Sequence, residues 1–145
     1  MDFPHEIRQF LACRHIVNIA VYTAQDFWAA SCFYALDEAV QRLIVLTDRT
    51  TRHGRLMLDN PHIVGTISTE TTALSAIEGV QFRASANLLQ GEEKRQALAI
   101  YYHRHPIARL KSADVWALQL EEIKHTSNRR VFAQKTYWYR TAQRD

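Results

Sequence analysis

Apolar and polar side chains alternate along several stretches of this chain, and the alternation predicts β-strands. Within residues 15–22 and again within residues 80–88, apolar side chains occupy every second position. Successive side chains of a strand point to opposite faces, so each stretch predicts a strand with one buried and one more polar face. The unbroken apolar run 43–46 predicts a strand buried on both faces. The predicted strands are 15–22, 27–34, 43–46, 63–68, 74–89, 115–125 and 131–139.

Three helices are predicted between these strands. Residues 3–11 have one apolar helical face, a short amphipathic helix ends at Asn60-Pro61, and a third helix starts at Gly91 and stops before Pro106. Strands outnumber helices and mostly follow one another directly. This order favours a mainly β (α+β) fold, a closed antiparallel β-barrel whose ends are capped by short helices.

Composition narrows the class of protein without naming an activity. We expect residues 1–145 to form one domain, since 145 residues with 47% hydrophobic content can bury one core. Only four glycines are present, which excludes the Rossmann and Walker phosphate loops. A net charge of +3 is compatible with an anionic ligand or a nucleic acid but demands neither.

Cysteine and histidine spacing gives no metal site. Cys13 and Cys32 lie far apart, and His103 and His105 are expected to diverge at a helix end. Unpaired cysteines are usual in a reducing compartment. No apolar run approaches the length that spans a membrane, and no secretory leader opens the chain. We therefore expect a soluble cytoplasmic protein without a metal.

The segment 42–68 is the main candidate for chemistry. The buried strand 43–46 runs into Thr47, and Thr50, Thr51 and Arg52 follow just before the short helix. Thr50 or Thr51 can cap that helix, and unpaired N–H groups at a helix start attract phosphate. Arg52 adds a planar fork that can engage two phosphate oxygens. The alternative is a capped helix with a solvated basic face and no ligand.

This segment resembles the phosphate-binding segment of the FMN-binding split barrels, the superfamily of pyridoxamine 5′-phosphate oxidase. The shared pattern is a strand ending in Thr, a later hydroxyl residue with a basic residue after it, an apolar helix and Asn-Pro. The resemblance implies that Thr47, Thr51 and Arg52 hold the phosphate of FMN. His53 stands where the oxidase has a Lys that also holds the phosphate, and it is the fourth candidate for this site. The segments FYALD, TRHG, GVQF, PIARL, VWALQLEEIK and KTYW are similar to those of the YhbP-like group within that superfamily.

The same resemblance implies the rest of the cofactor site. It places the flavin ring near the second strand, where the small residues Ala29, Ala30 and Ser31 would leave room for a planar group, although small residues also suit tight packing on a neighbouring strand. It implies a homodimer with cofactor sites at the interface. Gln81 would approach the flavin, and Trp138 would wall the flavin of the other subunit.

Three classes of function follow. The first is an FMN-dependent oxidoreductase of unknown substrate, in which the flavin carries the chemistry and no catalytic triad is needed. The second is a non-enzymatic flavin or haem binder. The third is a nucleic-acid-binding barrel that would use the basic, aromatic last strand, and it is disfavoured because the positive charge is spread along the chain. The C-terminal KTYWYRTAQRD resembles the substrate motif of the true oxidase only loosely.

Overall fold

A seven-stranded antiparallel sheet forms most of the computed structural model, which describes residues 2–141. Along the sheet the strands follow the order β3-β2-β1-β4-β5-β6-β7, and β3 also pairs with β6. That additional pairing closes the first six strands into a barrel and leaves β7 outside it. The strands are β1 (Ile16–Tyr22), β2 (Phe27–Asp37), β3 (Arg42–Leu46), β4 (His62–Ser68), β5 (Glu78–Leu88), β6 (Val115–Ser127) and β7 (Gln134–Tyr139).

The long strand β6 makes the closure possible. On one side it pairs with β5 over nearly its whole length. On its other side the first half pairs with β3, from Leu46↔Val115 to Arg42↔Gln119, and the second half pairs with β7. The β5–β6 register shifts between Arg83 and Ala84, and such an irregularity bends a strand and increases its twist. Strand β6 therefore closes the barrel with its first half and pairs with β7 through its second half.

The core lies inside the barrel and consists of the inward set of each alternating strand. Val17, Ile19 and Val21 of β1 are almost fully buried, as the period of two predicts. Leu43 and Val45 of β3 join the same cluster, whereas Ile44 belongs to a second cluster on the outside of the barrel. The run 43–46 is thus buried on both faces, as its unbroken apolar sequence predicts.

Three α-helices cover the parts of the barrel that the strands leave open: α1 (His5–Cys13), α2 (Arg52–Asp59) and α3 (Gly91–Arg104). Ile7, Phe10 and Leu11 of α1 pack into the barrel core. On α3, Ala97 and Tyr101 pack with Ile44 in the outer cluster. No helix in residues 2–141 is long and apolar enough to cross a membrane.

The predicted fold class, a mainly β antiparallel split barrel with short capping helices, is confirmed. Three predicted boundaries were wrong by three residues or more. β2 continues beyond residue 34 to Asp37, since its last residues pair with β3. The strand predicted from residue 74 starts at Glu78, because residues Leu74–Ala76 form a 3-10 turn. The last strand starts at Gln134 rather than at residue 131, because its pairing with β6 begins at Gln134.

Close approach between β4 and its neighbours depends on Gly65. A Cβ atom at this position would lie 2.4 Å from the Phe82 ring of β5 and 2.5 Å from the main-chain oxygen of Asn18 in β1. The ring could rotate away, but the backbone oxygen is fixed by the sheet. Residue 65 therefore has to be glycine if the three strands keep this spacing.

We expect Gly65→Ala to lower the free energy of unfolding by about 1–3 kcal/mol, because the added methyl group overpacks this site. Urea unfolding followed by far-UV circular dichroism measures the change. Val64→Ala, at the exposed neighbouring position, is the matched control and should stay within about 0.5 kcal/mol of the parent. Equal stability of Gly65→Ala and the parent would contradict this account of the packing.

Candidate functional site

The turn between β3 and α2 is wound tightly around the start of the helix. Thr51 is the N-cap residue: its Oγ1 accepts a hydrogen bond from the Gly54 N–H at 3.0 Å and donates one to the Asp48 carbonyl at 2.8 Å. Of the two caps that the sequence allows, the structure therefore uses Thr51. A Cβ atom on Gly54 would lie 2.4 Å from the Asp48 oxygen, so this turn requires glycine there.

Three predicted phosphate-binding residues meet at this turn. The Nε2 atom of His53 lies 2.7 Å from the Thr47 hydroxyl and 3.3 Å from the Thr51 hydroxyl. His53 is half-buried, and burial lowers the pKa of its imidazole below the usual 6.5, which favours the neutral ring. Two hydroxyls and an imidazole thus converge where the first N–H groups of α2 have no partner within the helix.

Barrel strands fix the position of this cluster. The Thr47 N–H donates to the Asp114 carbonyl at 2.9 Å, and the Trp116 indole N–H donates to the Thr47 carbonyl at 2.9 Å. Arg49 binds the Asp114 carboxylate through two nitrogens, at 2.9 and 3.0 Å. The hydrogen bonds from Arg49 lower the pKa of the Asp114 carboxyl to about 2, so this pair stays ionised at neutral pH.

Arg52, the fourth predicted phosphate residue, points toward the turn between β1 and β2. Its Nε and Nη2 atoms donate to the Asp26 carboxylate at 3.0 and 2.8 Å. The guanidinium also lies over the Trp28 ring, 3.8 Å from the ring centroid. The Arg52 hydrogen bonds lower the pKa of the Asp26 carboxyl. Sequence reasoning missed both partners, since nothing local links residues 26 and 28 to residue 52.

An apolar groove lies beside Arg52 on the outer face of β1, β2 and β4. Its volume is about 780 Å³, within the usual range for small-molecule sites. Ala20 and Ala29 are directly paired across β1 and β2 and form a low floor, while Tyr22 and Phe27 pair at the rim. The groove is lined by Ala20, Val21, Tyr22, Asp26, Phe27, Trp28, Ala29, Arg52 and Val64.

A second, more polar pocket of about 720 Å³ continues from the groove across β4, β5 and β6. The two pockets share Ala20, Ala29 and Val64. The additional lining residues are Asn18, Ile19, Gly65, Thr66, Gln81, Phe82, Arg83, Glu122, Lys124 and Tyr137. A continuous site with an apolar part and a polar part therefore runs over this face.

The remaining predicted site residues fall in different places. Gln81 lines the second pocket and not the apolar groove. Ser31 is exposed on the same face as the groove and donates to the Asn18 side-chain oxygen at 2.7 Å. Ala30 instead packs against the barrel core, and its neighbour Ala29 lines the groove, because side chains alternate along β2.

Trp138 lies in the core rather than on the outer face. It is 3% exposed and packs edge-on against Phe3, with ring centroids 4.8 Å apart. Its neighbour Tyr137 carries the exposed ring of β7 and lines the second pocket. The alternation of β7 decides this, and Tyr137 is better placed than Trp138 to meet a ligand.

Proteins of similar sequence carry one family name. The chain is 53% identical over 139 residues to a UPF0306 protein of Haemophilus ducreyi, covering 94% of this chain and 95% of that protein. A UPF0306 protein of Serratia proteamaculans is 42% identical over 136 residues, covering 94% of each. No family model matches the chain.

Solved structures share the fold at low identity. A heme binding protein from Mycobacterium smegmatis has a TM-score of 0.79 at 19% identity, over 96% of this chain and 60% of that one. HutZ, the heme storage protein from Vibrio cholerae, has a TM-score of 0.67 at 21% identity, over 83% and 92%. A FAD-binding protein from Mesorhizobium loti has a TM-score of 0.66 at 12% identity, over 83% and 91%.

These likenesses agree with the barrel described above. The resemblance to the split barrels of the pyridoxamine 5′-phosphate oxidase type is confirmed at the level of the fold. Sequence identity over nearly the whole of both chains goes further and shows the family. The chain belongs to the UPF0306 family.

Proposed function

We propose that this protein binds FMN, with the phosphate at the start of α2 and the flavin ring in the apolar groove. The observation that carries the proposal is the position of Arg52. This residue opens α2 beside the Thr47–Thr51–His53 cluster, and its guanidinium lines the groove. A ligand with an anionic tail and a planar apolar body fits an arrangement in which both regions meet at one residue.

Donors at the turn suit a phosphate. Thr47 offers a hydroxyl, Thr51 holds the helix start as its cap, and that helix start offers N–H groups and the positive end of its dipole. Arg52 binds Asp26 through one edge of its guanidinium, so it either uses its other edge or exchanges partners when an anion binds. The pair is exposed, and exposed pairs of this kind are weak enough to exchange.

The groove suits an isoalloxazine ring. Ala20 and Ala29 keep its floor low, while Tyr22, Phe27 and Trp28 supply aromatic walls. The M. loti relative in fold is a FAD-binding protein, and two other neighbours bind or store heme. Among the described residues that line the two pockets none is a histidine, the usual axial ligand of haem. This favours flavin over haem in the groove.

A bound flavin would supply hydride and single-electron transfer, and the protein would supply binding and orientation. The proposed activity is therefore that of an FMN-dependent oxidoreductase whose substrate enters the polar second pocket. The nucleic-acid alternative loses one of its aromatic residues, because the buried Trp138 cannot stack on bases.

We also propose that the face with the groove is a homodimer interface that encloses the cofactor. Several large apolar side chains are exposed on or beside it: Ile16, Tyr22, Phe27, Phe33, Val64 and Tyr137. Phe27 is 81% exposed and Tyr22 is 59% exposed. Contiguous exposure of this kind marks association surfaces, and a partner barrel would close the open side of the groove.

We expect a homodimer in light scattering across a dilution series down to about 1 µM, an ordinary range for a specific interface. Phe27→Asp should shift the protein toward monomer, because it places a carboxylate in the proposed contact. Leu110→Asp is the matched control: Leu110 is 87% exposed but lines neither pocket, and the variant should remain dimeric. A monomeric parent at micromolar concentration would contradict the shared interface.

We expect FMN to bind with a visible flavin band and with quenched fluorescence, and Arg52→Ala to weaken binding by about tenfold. Arg52 contributes less binding free energy than a free arginine would, because its hydrogen bonds with Asp26 are shared or lost when FMN binds. Thr51→Val should cost less, since the Thr51 hydroxyl donates to the Asp48 carbonyl and the change chiefly removes the helix cap. Fluorescence titration gives the dissociation constants, and circular dichroism checks folding.

Riboflavin, which lacks the phosphate, is the control ligand in the same titrations. Its weaker binding should change less than that of FMN in Arg52→Ala, because the variant then loses only the contact of Arg52 with the groove. Equal FMN affinity of the parent and the variant would show that Arg52 does not hold the phosphate. A Soret band and no flavin band in the purified protein would favour haem instead.

A further inference from the structure

His53 occupies the centre of the proposed phosphate site. Its Nε2 atom is 2.7 Å from the Thr47 hydroxyl and 3.3 Å from the Thr51 hydroxyl, so the ring contacts both side chains. The Thr51 hydroxyl donates its proton to the Asp48 carbonyl, which leaves the Thr47 hydroxyl as the donor for an anion. A phosphate that accepts from Thr47 takes the place of His53 Nε2 as its partner and therefore lies beside the His53 ring.

Charged groups surround this site, but most of them form ion pairs. Arg49 pairs with Asp114, and Arg52 pairs with Asp26, each through two hydrogen bonds. The charged residues of the segments around His53 are Asp26, Asp48, Arg49, Arg52, Arg55, Asp59 and Asp114. No strong field of one sign acts on the imidazole, and burial lowers its pKa. Burial therefore favours the neutral form of the ring before an anion arrives.

A bound phosphate favours the protonated form of the His53 ring over the neutral form. The group is close to a dianion at neutral pH and has a second pKa near 6. An anion at hydrogen-bond distance from an imidazole stabilises the imidazolium and raises the pKa of the ring. The imidazolium carries two N–H donors, so Nε2–H can donate to a phosphate oxygen in a charge-assisted hydrogen bond.

We propose that His53 binds the flavin phosphate as an imidazolium, so that binding takes up one proton from solvent. This inference rests on the proposed function. The proton is added to the ring nitrogen that is unprotonated in the free protein, and no bond other than N–H forms. A lysine at this position would bring a permanent charge, whereas histidine couples binding of the phosphate to pH.

The sign of the coupling follows from the two states of the ring. The pKa of His53 is below 6.5 in the free protein and is raised when phosphate binds. Affinity is therefore greatest at low pH and is lost as pH rises through the pKa of the bound state. Between the two pKa values the dissociation constant should rise about tenfold per pH unit. The phosphate is already mostly a dianion above pH 7, so its own titration contributes little there.

FMN titrations from pH 6.5 to 8.5 test this proposal in the parent, His53→Lys and His53→Gln. We expect the dissociation constant of the parent to rise at least about fivefold across this range. His53→Lys should show a nearly flat profile, because its charge is permanent here. His53→Gln should bind more weakly than the parent at pH 6.5 and approach the parent at pH 8.5.

Calorimetry in buffers of different ionisation enthalpy gives a second readout. The parent should take up a fraction of a proton that approaches one per FMN within the window, while His53→Gln and parent with riboflavin should take up almost none. Urea unfolding of the apo-proteins checks that all variants fold.

The outcomes separate this inference from the proposed function. If the parent binds FMN with a flat pH profile, or if His53→Lys keeps the parent's slope, the coupling at His53 is wrong while FMN binding stands. If no variant and no pH gives FMN binding, the proposed function itself fails, and the role of His53 fails with it. A slope that His53→Lys and His53→Gln both abolish supports the proposal.

Discussion

The candidate site depends on the pairing between β3 and β6. This pairing closes the barrel, and its register sets Leu46 opposite Val115. As a result Asp114 and Trp116 flank Thr47, where a backbone carbonyl, an indole N–H and a carboxylate hold the turn that follows β3. The start of α2 is thus fixed by the strand that completes the sheet. An open sheet with the same local sequence would leave this turn without its supports.

Two ion pairs lie around the start of α2, and the titratable side chain of His53 lies near them. Arg49 and Arg52 each face a carboxylate from another part of the chain, Asp114 before β6 and Asp26 before β2. Exposed pairs of this type contribute little to stability, but they decide where a guanidinium points. His53, half-buried and with a lowered pKa, is the group whose charge an incoming anion can change most.

The outer face follows from side chains that alternate between the barrel interior and the outside. Outward positions of β1 and β2 pair as Tyr22↔Phe27, Ala20↔Ala29, Asn18↔Ser31 and Ile16↔Phe33. Two bulky pairs therefore enclose one small pair and one polar pair that shares a hydrogen bond. A groove arises because the small pair lies between larger neighbours. The same arrangement leaves apolar rings exposed, which a single barrel has no means to cover.

The sequence by itself determined the features that rest on local periodicity and local hydrogen bonding. Alternation identified the strands and the mainly β class, and local sequence limited the helix cap to Thr50 or Thr51, of which the structure uses Thr51. The resemblance to the split barrels pointed to Thr47, Thr51 and His53, which lie within seven residues and contact one another. The tertiary structure decided what depends on register between distant segments. It gave Arg52 its partners Asp26 and Trp28, placed Ala29 rather than Ala30 in the groove, and buried Trp138 against Phe3. Shifting a strand by one residue exchanges its two faces. The two-residue alternation of side chains therefore could not decide which aromatic ring faces a ligand and which one lies in the core.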